Sequence, residues 1–509
     1  MNAARSVSTL AAVLLTLVVL PTSVTGSAVV LPHIGAETGA SLDALQWVVH
    51  AYNLTFACFM LACGSLADLI GRRRVFLVGA VVFASASVAS AVATDIHLLD
   101  AARGIAGAGA AALLTSGSSL VATSFEGAAR TRAFAAVGIA TGSGLALGAM
   151  LAGVLADTSG WRSFFAAHAL LMLPVLCAVP AMRESRGSSA TGVDWPGTAA
   201  FVGGTFLLML GVVEGPQWGW GSPGVLGLLA GAALLLVLFA LVERRRRDPM
   251  LDLGLLRNAK FVALCSIPVV ATLSFVILLP LLPNYLLVAN RSTSREAGST
   301  MLLMTLPILV APLLAGRLIR WGVSTRAVFA ASLLCLTAGT GWLAAVLHPG
   351  IGVAELAGPL IALGVGLGLN FGLVDGAALA AVDVEKTGTA AGLLNTVRLG
   401  SEALAIAAAG SALVNLTQQS LGRGLWQLPA YRGTPEELAN DVNAGDLAGP
   451  MSALPADVQQ RFFAFVADGF TDSWQVLLWT CAAICALLSA AIAVVLREPE
   501  VAPEVAAAR

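Results

Sequence analysis

Apolar residues in this chain come in blocks of roughly twenty separated by short polar breaks, and about twenty helical residues cross the hydrocarbon of a bilayer. The pattern predicts fourteen such helices, near residues 10–31, 45–68, 75–94, 98–119, 133–156, 164–182, 195–213, 223–242, 261–288, 297–318, 326–347, 353–379, 388–415 and 474–496. Residues 187–194 form a polar linker after the sixth helix, and the run Glu243-Arg-Arg-Arg-Arg247-Asp248-Pro249 ends the eighth. The count divides as six, two and six: an N-terminal bundle over 1–186, an inserted pair with its linkers over 187–260, and a C-terminal bundle over 261–509. The expected fold class is therefore an all-α polytopic membrane protein with two related halves, the usual plan of a secondary transporter. One connection is long, residues 415–473, in which 435–440 and 458–467 read as short amphipathic helices; it serves as a lid or as a cap.

The polar breaks set the topology. Gly64-Ser-Leu-Ala-Asp68-Leu-Ile-Gly71-Arg72-Arg73-Arg74 places a carboxylate and three guanidiniums between the second and third helices. Charges cost several kcal/mol inside hydrocarbon, so this turn belongs at the interface, and its arginines mark that side as cytoplasmic. Further basic residues gather in alternate loops (Arg130/Arg132, Arg183/Arg186, Arg244 to Arg247 with Arg257/Lys260, Arg317/Arg320/Arg326), while Glu37/Asp43, Asp95, Asp157 and Glu214 fall in the loops between. Both termini are then cytoplasmic. Gly64 and Gly71 let backbones approach closely, and Asp68 can accept from free helix-terminal N–H groups or pair with a guanidinium, which describes a latch. Its expected partner is the positive N-terminal end of the thirteenth helix, near Thr387 and Gly388, when the opposite side is open.

Composition agrees: over 509 residues, 58% hydrophobic against 11% charged leaves too little polar material to coat a water-soluble globule. No basic patch suggests nucleic acid. The seven cysteines all fall in apolar stretches, and Cys481-x-x-x-Cys485 has no histidine or carboxylate beside it to favour a metal. Arg5 and the apolar run after it mimic a secretory signal, but the hydrophobicity continues to Leu31, so the segment reads as an uncleaved first helix. Lysine occurs only as Lys260 and Lys386, which hints at a GC-rich bacterium.

The turn G-x-L-A-D-x-x-G-R-R-R resembles the signature loop of the major facilitator superfamily, and the second half echoes it weakly as Gly316-Arg-Leu-Ile-Arg-Trp-Gly322-Val-Ser-Thr-Arg326. Arg103-Gly-Ile-Ala-Gly107-Ala-Gly109 is similar to that family's fourth-helix motif, whose arginine is assigned to proton coupling or substrate contact; snorkelling to the interface is the structural alternative. Gly138, Gly142, Gly144, Gly148 and Gly153 form a small-residue stripe in the fifth helix, similar to the exporters' motif but with Ala149 in place of proline, so a kink there lacks its usual cause. Gly160-Trp161-Arg162-Ser-Phe-Phe165 resembles the start of the family's sixth helix. Leu45-Gln46-Trp47-Val48-Val49, Asp194-Trp195-Pro196-Gly197, the stretch Asp248 to Asn258, and Asn284-Tyr285-Leu286 through Ala297-Gly298 to Leu306-Pro307 look like the fourteen-helix drug:proton antiporter branch.

That resemblance implies alternating access about a midplane cavity, offering Thr22, Ser23, Thr25, Arg103, Asn284, Tyr285, Asn370 and Asp375, and coupling to protons without ATP or any other cofactor. The first helix departs from the branch, because aligning Leu31-Pro32 with its motif puts Ser23 where the aspartate stands. A buried carboxylate that would attract lipophilic cations is missing. Coupling then falls to Glu402 with Arg398 one turn before it, able to meet on one helix face, or to Asp375; Arg398 and Glu402 are alternatively a self-neutralised structural pair. His50 and His168 titrate near neutrality or serve as hydrogen-bonded packing. The expected function is proton-coupled export of an amphipathic small molecule, such as a drug or antibiotic, from a bacterial cytoplasmic membrane by a monomer in contact with lipid. An exporter of a lipid or endogenous metabolite, and less so a non-transporting membrane sensor, are the alternatives. An enzyme is not expected, because His97-x-x-Asp100 has no nucleophile near it in the sequence.

Overall fold

The computed structural model describes residues 3–187, 194–245, 254–428, 430–452 and 454–497. Most of the linker 188–193, Arg246/Arg247 and the first part of the Asp248 to Asn258 stretch therefore lie outside the described residues. Among the described residues there is no strand. Thirteen helices are long and apolar enough to cross a membrane, and a fourteenth span is bent by 44° between its two parts. In order they are α1 (Ala3–Thr38), α2 (Leu42–Ile70), α3 (Arg72–Ala91), α4 (Ile96–Ser124), the bent α5 (Gly127–Ser159), α6 (Trp161–Ala178), α7 (Trp195–Trp218) and α8 (Pro223–Glu243). The second set is α9 (Ala259–Ala289), α10 (Ser294–Arg320), α11 (Thr325–Val346), α12 (Val353–Ala380), α13 (Thr387–Gly422) and α14 (Ala456–Val495).

Local chemistry sets the ends. Ser41, Asp95, Ser222, Thr293 and Ser324 cap their helices, each side-chain oxygen accepting a backbone N–H of the first turn. Trp161 Nε1 donates to Glu37 Oε2 at 2.7 Å and Arg162 reaches Glu37 and the Ala93 carbonyl, which ties the start of α6 to the ends of α1 and α3. The bend in α5 falls between Leu145 and Met150, a stretch that holds Gly148 and follows the run Gly142-Ser143-Gly144, and it forms with Ala149 in place of a proline. Gly144 and Gly148 sit directly on Val18, Thr22 and Thr25 of α1, with no room for a Cβ, whereas Gly153 only meets Val29. Gly138 and Gly142 face the other half, at Phe371 and Ile308.

Two spans of the second half are interrupted. In α9 a π-helical turn covers Thr272–Val276, and α12 breaks at Gly372 (φ +76°), where any side chain would strike the Phe134 carbonyl of α5. The break starts a new helix, Leu373–Ala380, with Asp375 in its first turn.

The long connection corrects the expected boundaries. α13 runs on to Gly422, and the segment 458–467 is no separate helix but the first turns of α14, which starts at Ala456. Between them, Pro435–Asn443 and Ala448–Ser452 fold over their own small core, with Leu438, Val442 and Phe462 fully buried. This roof is fastened to α9, because Asn284 Nδ2 donates to the Asn443 carbonyl at 2.8 Å.

Candidate functional site

The first site is the latch. Gly64 is pressed against Gly388, where a Cβ would overlap the Gly388 carbonyl, so α2 and α13 meet backbone to backbone. That approach carries Asp68 to the N-terminus of α13. Its Oδ1 accepts from Gly388 N at 3.0 Å and its Oδ2 from Thr389 N at 2.8 Å and Thr389 Oγ1 at 3.3 Å. An anion at a helix N-terminus takes up orphan N–H groups and favourable dipole together. Arg72, 1% exposed, closes the arrangement: Nε and Nη2 donate to Asp68 Oδ1 at 3.1 and 2.7 Å, and Nη2 also donates to the Val384 carbonyl at 2.8 Å. Gly71 (φ +118°) makes the turn that brings Arg72 back onto Asp68. Arg73 contributes through its backbone N–H, which donates to Glu184 Oε1 at 3.1 Å.

Glu184, Ser185 and Gly187 were not singled out by the sequence. Arg72 N donates to the Ser185 carbonyl at 3.0 Å and Gly187 N to the Asp68 carbonyl at 2.8 Å, so the chain leaving α6 is threaded under the latch. The signal was present in the sequence as a carboxylate among basic residues, Arg183-Glu184-Ser185-Arg186, on the latch side.

The second site is the guanidinium of Arg103. It is 2% exposed, packs 4.3 Å from the Tyr52 ring centre and 5.5 Å from that of Phe165, and does not snorkel. Nη1 donates to Ser23 Oγ at 2.8 Å and Nε to the Val48 carbonyl at 3.0 Å. The position where the branch carries aspartate thus faces Arg103, and among the described residues no carboxylate pairs with it. His168 lies in the same buried region, with Nδ1 2.7 Å from the Phe164 carbonyl and its ring against Phe164 and Phe83.

The third site joins α12 and α13. Arg398 Nη2 donates to Asp375 Oδ2 at 3.0 Å and Nη1 to Asn395 Oδ1 at 2.8 Å. The expected pairing with Glu402 is therefore corrected: the shortened helix after Gly372 offers Asp375, and the guanidinium turns to it. Glu402, half-buried one turn further along, makes no hydrogen bond or ion pair among the described residues. Next to it Ser401 Oγ lies 3.4 Å from Thr272 Oγ1 in the π-helical turn of α9.

The expected cavity residues all make hydrogen bonds within or between helices. Thr22 bonds the Gly144 carbonyl, Thr25 its own helix, Asn370 the Ser332 hydroxyl of α11, and Tyr285 the Thr471 hydroxyl of α14; Ser23 is held by Arg103 and Asn284 by the roof.

A family model described as Major Facilitator Superfamily matches residues 13–406. The chain belongs to the major facilitator superfamily. It is 30% identical over 476 residues to Multidrug resistance protein Stp of Mycobacterium tuberculosis, covering 90% of this chain and 86% of that protein. It is 31% identical over 407 residues to a Probable actinorhodin transporter of Streptomyces coelicolor, covering 76% and 68%. Tetracenomycin C resistance and export protein of Streptomyces glaucescens is 26% identical, covering 92% of this chain and 87% of that one. Among solved structures, a bacterial homologue of the iron transporter ferroportin in its outward-facing state has a TM-score of 0.61 at 13% identity, covering 97% of this chain and all of that one. The proton:xylose symporter XylE has a TM-score of 0.57 at 13% identity, covering 96% and 95%. This superfamily member is thus a multi-pass membrane transporter rather than an enzyme, with thirteen candidate spans among the described residues, or fourteen with the bent α5.

Proposed function

We propose that the protein exports amphipathic small molecules, of the drug or antibiotic kind, in exchange for protons, by alternating access across a bacterial cytoplasmic membrane with both termini inside. The observation that carries this reading is that one helix, α13, bears both the latch contact at Gly388 and Thr389 and the ionisable group of Arg398 and Glu402. Opening the latch frees the end of α13 and moves Arg398 and Glu402 together relative to Asp375, so that proton occupancy and access change together. Asp68 then holds one state through its hydrogen bonds to α13, Glu402 with Asp375 takes the proton, and Arg398 tunes them. One proton moved down 100 mV supplies about 2.3 kcal/mol, enough for roughly a fortyfold substrate gradient. The relatives named for drug resistance and antibiotic export support the substrate class.

A second reading, export of a lipid or endogenous metabolite, is favoured by Ser23, because the N-terminal half offers Arg103 no carboxylate that would draw in a lipophilic cation. Proteoliposomes with an imposed pH gradient test both. Export predicts that ethidium or puromycin accumulates only with the gradient, that Glu402→Gln abolishes the pH drive while sparing exchange at equal pH, and that Asp68→Asn stops both. Gradient-independent flux in the unaltered protein defeats proton coupling, and absence of any drug flux leaves the second reading.

A further inference from the structure

Helix α9 ends on the face opposite the latch with an unusual residue. The helix is capped at Asn290, Ser292 N donates back to the Leu286 carbonyl at 3.1 Å, and the residue between them takes the left-handed position that follows a helix end and is normally glycine. Here that position is Arg291, with φ +52°, the one non-glycine residue of positive φ among those described. Glycine would hold the same turn with no steric penalty, so the arginine is retained at a backbone cost for the sake of its side chain. Yet that side chain does little for the fold. It is exposed, its guanidinium lies 3.7 Å over the Phe463 ring, and among the described residues no oxygen accepts its N–H groups and no carboxylate pairs with it.

What the guanidinium does border is a cavity of about 600 Å³ between the end of α9 and the roof, floored by Leu287, Val288 and Met451. Its walls are already built: Gln459 Nε2 donates to the Met451 and Leu454 carbonyls, and Asp446 Oδ1 accepts from Gly449 N at 3.0 Å. The volume is that of a small-molecule site, open to solvent and lined by apolar and polar groups in nearly equal measure. Arg291 supplies the donors of a fork that fits a carboxylate or phosphate, while Asp446 on the wall disfavours a second acidic group.

We propose that this cavity is a ligand site distinct from the membrane-embedded cluster, and that it takes an amphipathic monoanion, with the apolar body on Leu287, Val288 and Met451 and the acidic head on Arg291. A soluble organic acid and an anionic phospholipid share that chemistry. The proposal stands whether or not transport is coupled to protons.

The test uses the full chain in uncharged detergent, with Ser452→Cys at the exposed rim, a hydrophilic maleimide, and the parent protein as the blank for its own cysteines. Dodecanoate is expected to slow labelling of that variant at least tenfold, and dodecyltrimethylammonium, of the same chain length, to leave it unchanged. Adding Arg291→Gly should remove the protection while leaving the melting temperature unchanged or higher, and Arg291→Lys should keep part of it. In nanodiscs, protection by phosphatidylglycerol over phosphatidylcholine identifies lipid as the source, and protection by dodecanoate alone identifies a soluble acid. Equal protection by both amphiphiles, protection that survives Arg291→Gly, or a melting temperature lowered by Arg291→Gly overturns the proposal.

Discussion

The two halves of the molecule hold Arg103 and Arg398 in opposite ways. Arg103 in the first half is surrounded by a hydroxyl, a carbonyl and aromatic faces, with Ser23 at the place of a counter-ion. Arg398 in the second half sits against Asp375, with Glu402 a turn away. At these two sites, among the described residues, one half thus carries a cation with no acid and the other carries two acids for one cation. A desolvated charge is costly unless paired, and hydrogen bonds with π-faces only partly replace a carboxylate. The comparison teaches that this fold can hold one embedded arginine by a hydroxyl, a carbonyl and aromatic faces in one half and another by a carboxylate in the other.

The contrast should break most visibly at Arg398. Arg398→Ala strands Asp375 in a dry setting, and the expected loss is about 2–3 kcal/mol, below the 3–5 of a fully buried pair because a quarter of Arg398 is exposed. Adding Asp375→Leu should recover most of that, and thermal denaturation of both singles and the double reads it. If the double is no better than Arg398→Ala alone, the pair is not the reason for the loss.

Ser23→Asp would make the first half resemble the second. Its carboxylate replaces a hydroxyl 2.8 Å from Arg103 Nη1, so the expected gain is about 1 kcal/mol of stability, with selectivity shifting towards organic cations. Unchanged stability and unchanged transport of ethidium against an anionic dye would show that the new carboxylate does not meet Arg103. Glu402→Gln should be the gentlest on the fold, within about 0.5 kcal/mol, because the carboxylate has no partner among the described residues to lose. A larger drop in melting temperature would assign Glu402 to structure instead of coupling.

These contrasts were only partly legible in the sequence. Long apolar blocks fix the spans because hydrocarbon thickness leaves helices little choice of length, and the latch was readable because spacing within one turn fixes its geometry. Contacts between helices were not. Arg398 and Glu402 share a helix and look like partners, yet Asp375, twenty-three residues away, wins through a break at Gly372, whose backbone lies so close to Phe134 that a Cβ would not fit. Tyr285 and Asn370 were correctly polar in apolar helices, but the sequence does not say which neighbour a helix turns towards. The roof was misjudged for a simpler reason: residues 456–473 are amphipathic because one face covers the roof core and the other meets water, so hydropathy alone starts α14 too late.

The length of α13 has a mechanical consequence. Its 36 residues make a rod of about 54 Å, well beyond the roughly 30 Å of hydrocarbon. Pivoted at the latch, a tilt of about 10° sweeps its far end sideways by about 9 Å, nearly the diameter of a helix. Under the proposed alternating access, a hydrogen bond exchanged at Asp68 would thereby be magnified, with no further moving part, into a displacement of the roof comparable to the width of a drug-sized molecule.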